Sequence, residues 1–145
     1  MGTPLYLVAV DGSECSNRAV EHAMNLATIT NAKVKFLTVR DWSYLQPAVV
    51  EGIAPQILDQ ETETLNTINH ILAPLIEQYN DAGVDISTEL LWGDPAVEIQ
   101  KQIKDLNVTM LFVGRQGKSR IVDILLGSVA NKLAHLVDIP IVLVP

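Results

Sequence analysis

The 145-residue chain lacks several features that would assign it to common protein classes. With one cysteine, Cys15, it can form neither an internal disulfide nor a cysteine cluster for zinc. Its longest apolar runs have five or six residues, whereas a membrane-spanning helix needs about 20. No basic residue precedes the first apolar run, so a secretory signal is not expected. We expect a soluble, cytoplasmic protein that does not contact a membrane.

Positive charge is also scarce, since 10 Lys and Arg residues face 17 Asp and Glu residues for a net charge of −7. Nucleic-acid binding draws most of its affinity from a basic surface, so this balance argues against a nucleic-acid partner. The segment 114–132 is an exception, with a net charge of +3. It predicts a local anion site, although exposed charges that serve only solubility remain an alternative.

What is present is a regular alternation of strand and helix patterns. Strand patterns occupy 5–10, 34–39, 85–91, 109–113 and 140–144, with helical spacing of apolar residues between them. Strands that alternate with helices pair in parallel, because parallel neighbours need a crossover connection. The sequence therefore predicts one α/β domain over 1–145, Rossmann-like and doubly wound, with five parallel strands in the order 3-2-1-4-5 and helices on both faces.

Single residues predict where the helices begin and break. Ser16 is placed to cap the first helix, and Asp94 is a good N-cap with Pro95 at the first helical position. Pro74 falls inside a long helical pattern over 65–79 and should bend or interrupt it.

In a doubly wound sheet, the ligand crevice lies at the carboxyl ends of the strands. The two loops expected there are Asp11-Gly12-Ser13 and 114–128, which reads G-x2-G-x9-G-S. A glycine directly after a buried strand lets the backbone approach a ligand closely. Gly127-Ser128 at a helix start offers free N–H groups that suit a phosphate, and the Ser128 hydroxyl either contacts the anion or caps its own helix.

Two common nucleotide motifs are absent. Gly117-Lys118-Ser119 matches the end of a Walker A loop, but the glycine required five positions earlier is Phe112, within a strand. The Rossmann motif G-x-G-x-x-G occurs nowhere in the chain.

The loop 114–128 instead resembles the ATP-binding branch of the universal stress protein family, whose signature is G-2x-G-9x-G-(S/T). Gly114, Gly117, Gly127 and Ser128 match it at every spacing, and 10–13 and 138–144 are similar to the family as well. The segment departs from many members at Arg115-Gln116, where a small residue and His are usual.

This resemblance implies a role for each matching position in binding ATP. Asp11 would contact the ribose or a phosphate-bound Mg²⁺ or Mn²⁺. The adenine would be bordered by Ala9, Val10 and Val39, and the ribose by Val113 and Gly114. The phosphates would be received by Gly117, Gly127, Ser128 and Val129, with Lys118 and Arg120 adding affinity.

Other candidate residues carry weaker signals. His22, His70 and His135 lack metal-ligand spacing and are expected to be structural or on the surface. Cys15 lies near a helix start, where a thiolate could be stabilised, but a buried, inert thiol is the better interpretation. Trp42 either covers the base or anchors its own loop.

Three functions remain open. The first is an ATP-binding regulatory protein without catalytic residues. The second is a slow ATP hydrolase or nucleotidyl-transferring enzyme, for which no water-positioning group is evident. The third is an interaction domain without a ligand.

The uncharged apolar strand 140–145 is expected at a sheet edge. We therefore predict a homodimer through that strand, which a proline at Val142 should block, unless a helix or the loop 40–55 covers the edge.

Overall fold

The computed structural model describes residues 2–41, 60–116 and 126–145. Its elements in chain order are β1 (Leu5–Ala9), α1 (Glu14–Thr30), β2 (Lys33–Arg40), α2 (Gln60–Thr67), a π-helical stretch (Ile68–Leu72), α3 (Ala73–Tyr79), β3 (Ile86–Trp92), α4 (Pro95–Asp105), β4 (Met110–Gly114), α5 (Ser128–Leu136) and β5 (Ile141–Val144). All strand pairs are parallel, in the order β3-β2-β1-β4-β5. The predicted fold class and strand order are confirmed. No described helix is both long enough and apolar enough to cross a bilayer.

The two faces of the sheet are covered by different helices because successive strand residues point to opposite sides. Val8 of β1 packs on the face that α1 and α3 cover, whereas its neighbour Leu7 packs on the face of α4 and α5. Phe112 and Leu111 divide in the same way on β4. The alternating faces therefore bury β1 and β4 on both sides.

The start of α1 differs from the sequence prediction. The N-cap is Ser13 rather than Ser16, and its hydroxyl oxygen accepts the backbone N–H of Ser16 at 3.2 Å. Gly12 adopts φ 82°, a left-handed conformation that suits glycine, so the chain reverses early and the helix begins at Glu14. Ser16 therefore lies within the first turn, where its hydroxyl donates to the Ser13 carbonyl at 3.0 Å.

The other two helix predictions are confirmed. Asp94 caps α4 by accepting the Val97 N–H at 3.1 Å, with Pro95 as the first helical residue. The long helical pattern is interrupted immediately before Pro74, where the Ala73 N–H bonds to the Ile68 carbonyl in the wider π pattern. A proline removes an N–H and crowds the carbonyl four residues earlier, which accounts for the widened turn.

Candidate functional site

A cavity of about 310 Å³ opens at the carboxyl ends of β1 and β4, where the strand order reverses. This is the position at which doubly wound sheets bind ligands. Nine of the predicted site residues line it: Ala9, Val10, Asp11, Val39, Val113, Gly114, Gly127, Ser128 and Val129. Gly117, Lys118 and Arg120 lie outside the described residues, as does Trp42.

The floor of the cavity at β1 is fixed by backbone bonding. The Val10 N–H donates to the Leu37 carbonyl at 2.9 Å, and the hydroxyl of Thr38, only 2% exposed, donates to the Val10 carbonyl at 2.9 Å. Both backbone groups of Val10 are therefore hydrogen-bonded within the protein, and Val10 contributes to the cavity through its shape. The sequence interpretation missed Thr38, which it could have found as the one hydroxyl in the run 34–39.

Asp11 shapes the first loop. Its Oδ1 accepts the Ser13 N–H at 2.9 Å, which closes an Asx turn. Among the described residues nothing donates to its Oδ2, and the half-buried side chain lines the cavity. In the described part of the chain no group of three His, Cys, Asp or Glu side chains could hold a metal ion. This donor set fits a cation that arrives with phosphate, since Mg²⁺ is commonly held by one or two carboxylates plus phosphate oxygens.

The opposite wall of the cavity is the start of α5. Its N-cap is Gly127, which has no side chain to cap the helix, so the first-turn N–H groups at Ser128 and Val129 have no partner within the helix. Ser128 is exposed at the first helical position, and among the described residues its hydroxyl makes no bond to the start of its helix, so the capping alternative is not observed. The Gly127 N–H donates to the Arg115 carbonyl at 2.7 Å, which fixes where this helix begins. First-turn amides that lack a partner within the helix, together with the positive end of the helix dipole, can bind an anion.

A close packing contact, which the sequence did not reveal, explains why position 114 is a glycine. A Cβ added there would lie 2.8 Å from the Cys15 Cβ and 3.0 Å from the Ser16 nitrogen. The close approach that requires a glycine is therefore made by the first turn of α1. Cys15 is buried in that contact, as expected, and its Sγ lies 3.4 Å from the Arg18 guanidinium.

Arg40 and Asp41 also line the cavity and were not predicted as site residues. The Arg40 guanidinium is engaged with α2, donating to the Thr67 hydroxyl at 2.9 Å and lying 3.7 Å from the Glu63 carboxylate. The sequence could have indicated Arg40 as a site residue, because it lies directly at the end of the second strand pattern. Because the Arg40 guanidinium is paired with α2, we interpret it as a group that holds the cavity wall in place and not as a ligand-binding group.

The three histidines are exposed on helices, as expected. The Nδ1 of His70 bonds to the Asn66 carbonyl at 2.8 Å. None of the three lines the cavity at β1 and β4.

Comparison with solved structures supports the fold. The protein MJ0577 superposes with a TM-score of 0.80 at 22% identity, covering 99% of this chain and 96% of that one. A universal stress protein in complex with cAMP gives a TM-score of 0.68 at 23% identity, over 100% of this chain and 98% of that one. A universal stress protein from Archaeoglobus fulgidus in complex with dAMP gives 0.67 at 16% identity, over 99% and 98%. At these identities the likeness concerns the fold.

Sequence comparison identifies the family. The universal stress protein YxiE of Bacillus subtilis is 30% identical over 142 residues, which cover 95% of this chain and 96% of the relative. The model of the universal stress protein family matches residues 6–145. The chain therefore belongs to the universal stress protein family.

Proposed function

We propose that this chain is a cytoplasmic, ATP-binding regulatory protein, one domain over 1–145, with ATP held in the cavity between the β1 and β4 loops. The observation that carries the proposal is the uncapped first turn of α5, whose N–H groups border that cavity. Support also comes from relatives of the same fold that were solved with cAMP and with dAMP.

Each wall of the cavity suits one part of a nucleotide. Ala9, Val10 and Val39 form an apolar slot for the adenine, and Val113 and Gly114 flank the ribose. The first turn of α5, at Gly127, Ser128 and Val129, is the anion-binding end and receives the phosphates. The volume of about 310 Å³ is at the small end for ligand cavities, so the phosphates extend toward the open side.

We expect ATP binding to depend on a divalent metal ion, and we expect Asp11 to be the residue that contacts it. A triphosphate adds about four negative charges to a protein of net charge −7, so a divalent cation between Asp11 and the phosphates offsets repulsion. Lys118 and Arg120 are proposed, on sequence grounds, to add affinity for the phosphates. Replacing both with alanine should weaken ATP more than AMP and reduce the salt dependence of binding.

Gly127→Val tests the site most directly. Gly127 has φ −63° and ψ 158°, which any residue adopts, so valine should leave the backbone intact while its side chain fills the phosphate position. We expect calorimetry to show at least tenfold weaker ATP binding and circular dichroism to show an unchanged fold. Gly2→Val is the matched control, because nothing lies within 4 Å of a Cβ at Gly2. Wild-type affinity in the Gly127 variant would rule out this site.

Turnover separates the regulatory proposal from the enzymatic alternative. With purified protein, bound nucleotide is first identified by mass spectrometry, and hydrolysis of fresh ATP is then followed. We expect turnover below about 1 s⁻¹, the low end of ordinary enzymes. Faster turnover would favour a hydrolase or a nucleotidyl transferase.

We further propose that the protein forms a homodimer through β5. This strand pairs with β4 on one side, is a sheet edge on the other in the part of the chain that the structure describes, and exposes Leu143. An apolar edge strand tends to associate, and pairing about a two-fold axis closes both copies at once.

The strand register corrects the choice of a test residue. The Leu111 N–H bonds to the Pro140 carbonyl and the Arg115 N–H to the Val144 carbonyl, so even-numbered residues of β5 bond to β4. A proline at Val142 would thus damage the β4 ladder, whereas Leu143 directs its N–H to the free edge. In light scattering, Leu143→Pro should yield a folded monomer, and Val142→Pro should lower stability instead. A wild type that is monomeric at tens of micromolar would contradict the dimer.

A further inference from the structure

The helical segment that runs from α2 through the π-helical stretch to α3 is held to the fold in two different ways. Its second half is anchored by apolar packing, since Ile71, Leu72 and Leu75 are buried in the core on the α1 face of the sheet. Its first half, α2, has one apolar side chain, Leu65, which is 54% exposed. Within the described part of the chain, α2 buries only Thr67. Hydrophobic burial therefore fixes the second half and contributes little to the position of α2.

Polar contacts fix α2 at the carboxyl ends of two neighbouring strands. At the end of β2, the Arg40 Nε donates to the Thr67 hydroxyl at 2.9 Å, and the guanidinium lies 3.7 Å from the Glu63 carboxylate. At the end of β3, the Trp92 Nε1–H donates to the Thr64 hydroxyl at 2.9 Å. Arg40 and Trp92 are register partners, so the two strand ends hold α2 side by side. We call these three contacts the α2 clamp.

The charged pair of the α2 clamp is shielded from water. The side chains of Arg40 and Glu63 are only 15% and 14% exposed, and Thr67 is 1% exposed. A shielded charge that loses its partner is costly, because water does not replace the lost contact. Arg40 and α2 therefore hold each other in place, and a displacement of one displaces the other.

The π-helical stretch provides a hinge between the two halves of the segment. In its widened turn the Ala73 N–H bonds to the Ile68 carbonyl. Helices bend at such turns. α2 can therefore swing about this turn while α3 keeps its apolar contacts in the core.

Arg40 belongs to the α2 clamp and also lines the proposed nucleotide cavity, next to Val39 of the adenine slot. In the described part of the chain, the clamp residues Glu63, Thr64 and Thr67 of α2 do not line that cavity. When the clamp opens, the Arg40 guanidinium loses its partners on α2, and the cavity is open space beside it. With a volume of about 310 Å³ the cavity is at the small end for ligands. An Arg40 side chain that turns into it would take space from the adenine.

We infer that α2 is a positioning element for the nucleotide cavity: the closed α2 clamp keeps Arg40 out of the adenine slot, and a bound nucleotide in turn keeps the clamp closed. The inference rests on the proposed nucleotide function and adds to it the element that responds to a bound adenine. Such coupling is reciprocal, because the factor by which closure raises nucleotide affinity is also the factor by which the nucleotide favours closure.

Thr67→Val opens the clamp without changing a residue that lines the cavity. It removes the acceptor of the Arg40 Nε and keeps the shape of the side chain. We expect calorimetry to show ATP and AMP weakened by the same factor, three- to tenfold, because Arg40 borders the base and not the phosphates. Thr67→Ser keeps the hydroxyl and should restore wild-type affinity. Thr62→Val is the matched control, because Thr62 is exposed on the same helix.

Hydrogen exchange on the full chain tests the coupling in the other direction. In the wild type, saturating ATP should slow the exchange of the α2 amides at least threefold and leave those of α3 unchanged. Without nucleotide, Thr67→Val should speed the exchange of α2 but not of α3. Thr64→Val removes the acceptor of Trp92 and leaves both partners of Arg40 in place. It should also speed the exchange of α2, and it should weaken ATP and AMP about threefold.

Two outcomes would overturn the coupling alone. One is ATP binding that leaves the exchange of α2 unchanged. The other is wild-type or tighter nucleotide affinity in Thr67→Val, since tighter binding would mean that the released Arg40 attracts the phosphates. Absence of ATP binding in the wild type would contradict the proposed function together with the coupling, so the two failures are distinguishable.

Discussion

The same dipeptide, Gly-Ser, stands at the start of both α1 and α5, but the two helices place it differently. In Gly12-Ser13 the serine is the N-cap and its side chain accepts the Ser16 N–H. In Gly127-Ser128 the glycine is the N-cap and the serine is already helical. Gly12 has φ 82°, whereas Gly127 has φ −63°. A shift of one residue relative to the helix start thus leaves α1 capped by its own serine, whereas α5 has no side-chain cap from the described residues.

Both helix starts contain a glycine, so the capping residue, and not the glycine itself, distinguishes the structural turn before α1 from the candidate anion site at α5. The start of α1 also has Asp11 bonded to the Ser13 N–H and the acidic Glu14 in its first turn. The start of α5 has no acidic residue in its first turn, and no side chain of the described residues caps it. Substitutions at four positions test this contrast.

The largest effect is expected when α5 is given the cap that it lacks. Gly127→Asp should stabilise the helix by a few tenths of a kcal/mol, because aspartate is a better N-cap than glycine. It should also weaken ATP binding more than a hundredfold, about 2.7 kcal/mol, by adding negative charge where phosphate binds. Gly127→Asn adds a neutral cap and should weaken binding about tenfold. Calorimetry and thermal denaturation on both variants measure the two effects. Equal affinities for the two would show that charge at this position does not matter.

A substitution at the contact between the two loops should mainly cost stability. Gly114→Val places a side chain within 3.0 Å of the first turn of α1, and such overpacking costs roughly 1–3 kcal/mol. Urea denaturation should show this loss, with Gly2→Val as the control. If the variant is as stable as the control, α1 can move away from β4 freely and the contact is not restrictive.

The loop before α1 carries the next prediction. Asp11→Asn keeps an oxygen that can accept the Ser13 N–H, so the turn should persist. The affinity gained on adding Mg²⁺ or Mn²⁺, which we expect to be about tenfold in the wild type, should disappear. The measurement is ATP titration with and without EDTA. A wild type whose affinity is independent of metal would leave Asp11 as a turn residue.

Removing the existing cap of α1 should have the smallest effect. Ser13→Ala deletes the acceptor of the Ser16 N–H and should cost about 1 kcal/mol in the free energy of unfolding. ATP affinity should change less than threefold, since the phosphates are assigned to α5. A large loss of affinity with little loss of stability would reverse the roles of the two helix starts.

Local patterns in the sequence were sufficient for the fold. The cap at Asp94 and the interruption near Pro74 follow from residues close together in the chain. The strand order follows from the alternation of strands and helices, because parallel strands joined by right-handed crossovers form a doubly wound sheet. The choice of Ser13 over Ser16 was missed because both serines have capping chemistry and only the left-handed turn at Gly12 decides between them.

Contacts between distant residues could not be predicted. The bond from the Thr38 hydroxyl to the Val10 carbonyl joins neighbouring strands, and it depends on their register. The contact of Gly114 with Cys15 depends on how far α1 sits above the sheet. Thr38 is recognisable as the one hydroxyl residue in 34–39, but neither contact can be read from spacing along the chain.

The hydrogen bond from the Gly127 N–H to the Arg115 carbonyl ties the N-cap of α5 to the residue that directly follows β4. Arg115 is also tied to β5, since its N–H donates to the Val144 carbonyl at 2.7 Å. The start of α5 is therefore only two backbone hydrogen bonds away from the edge strand.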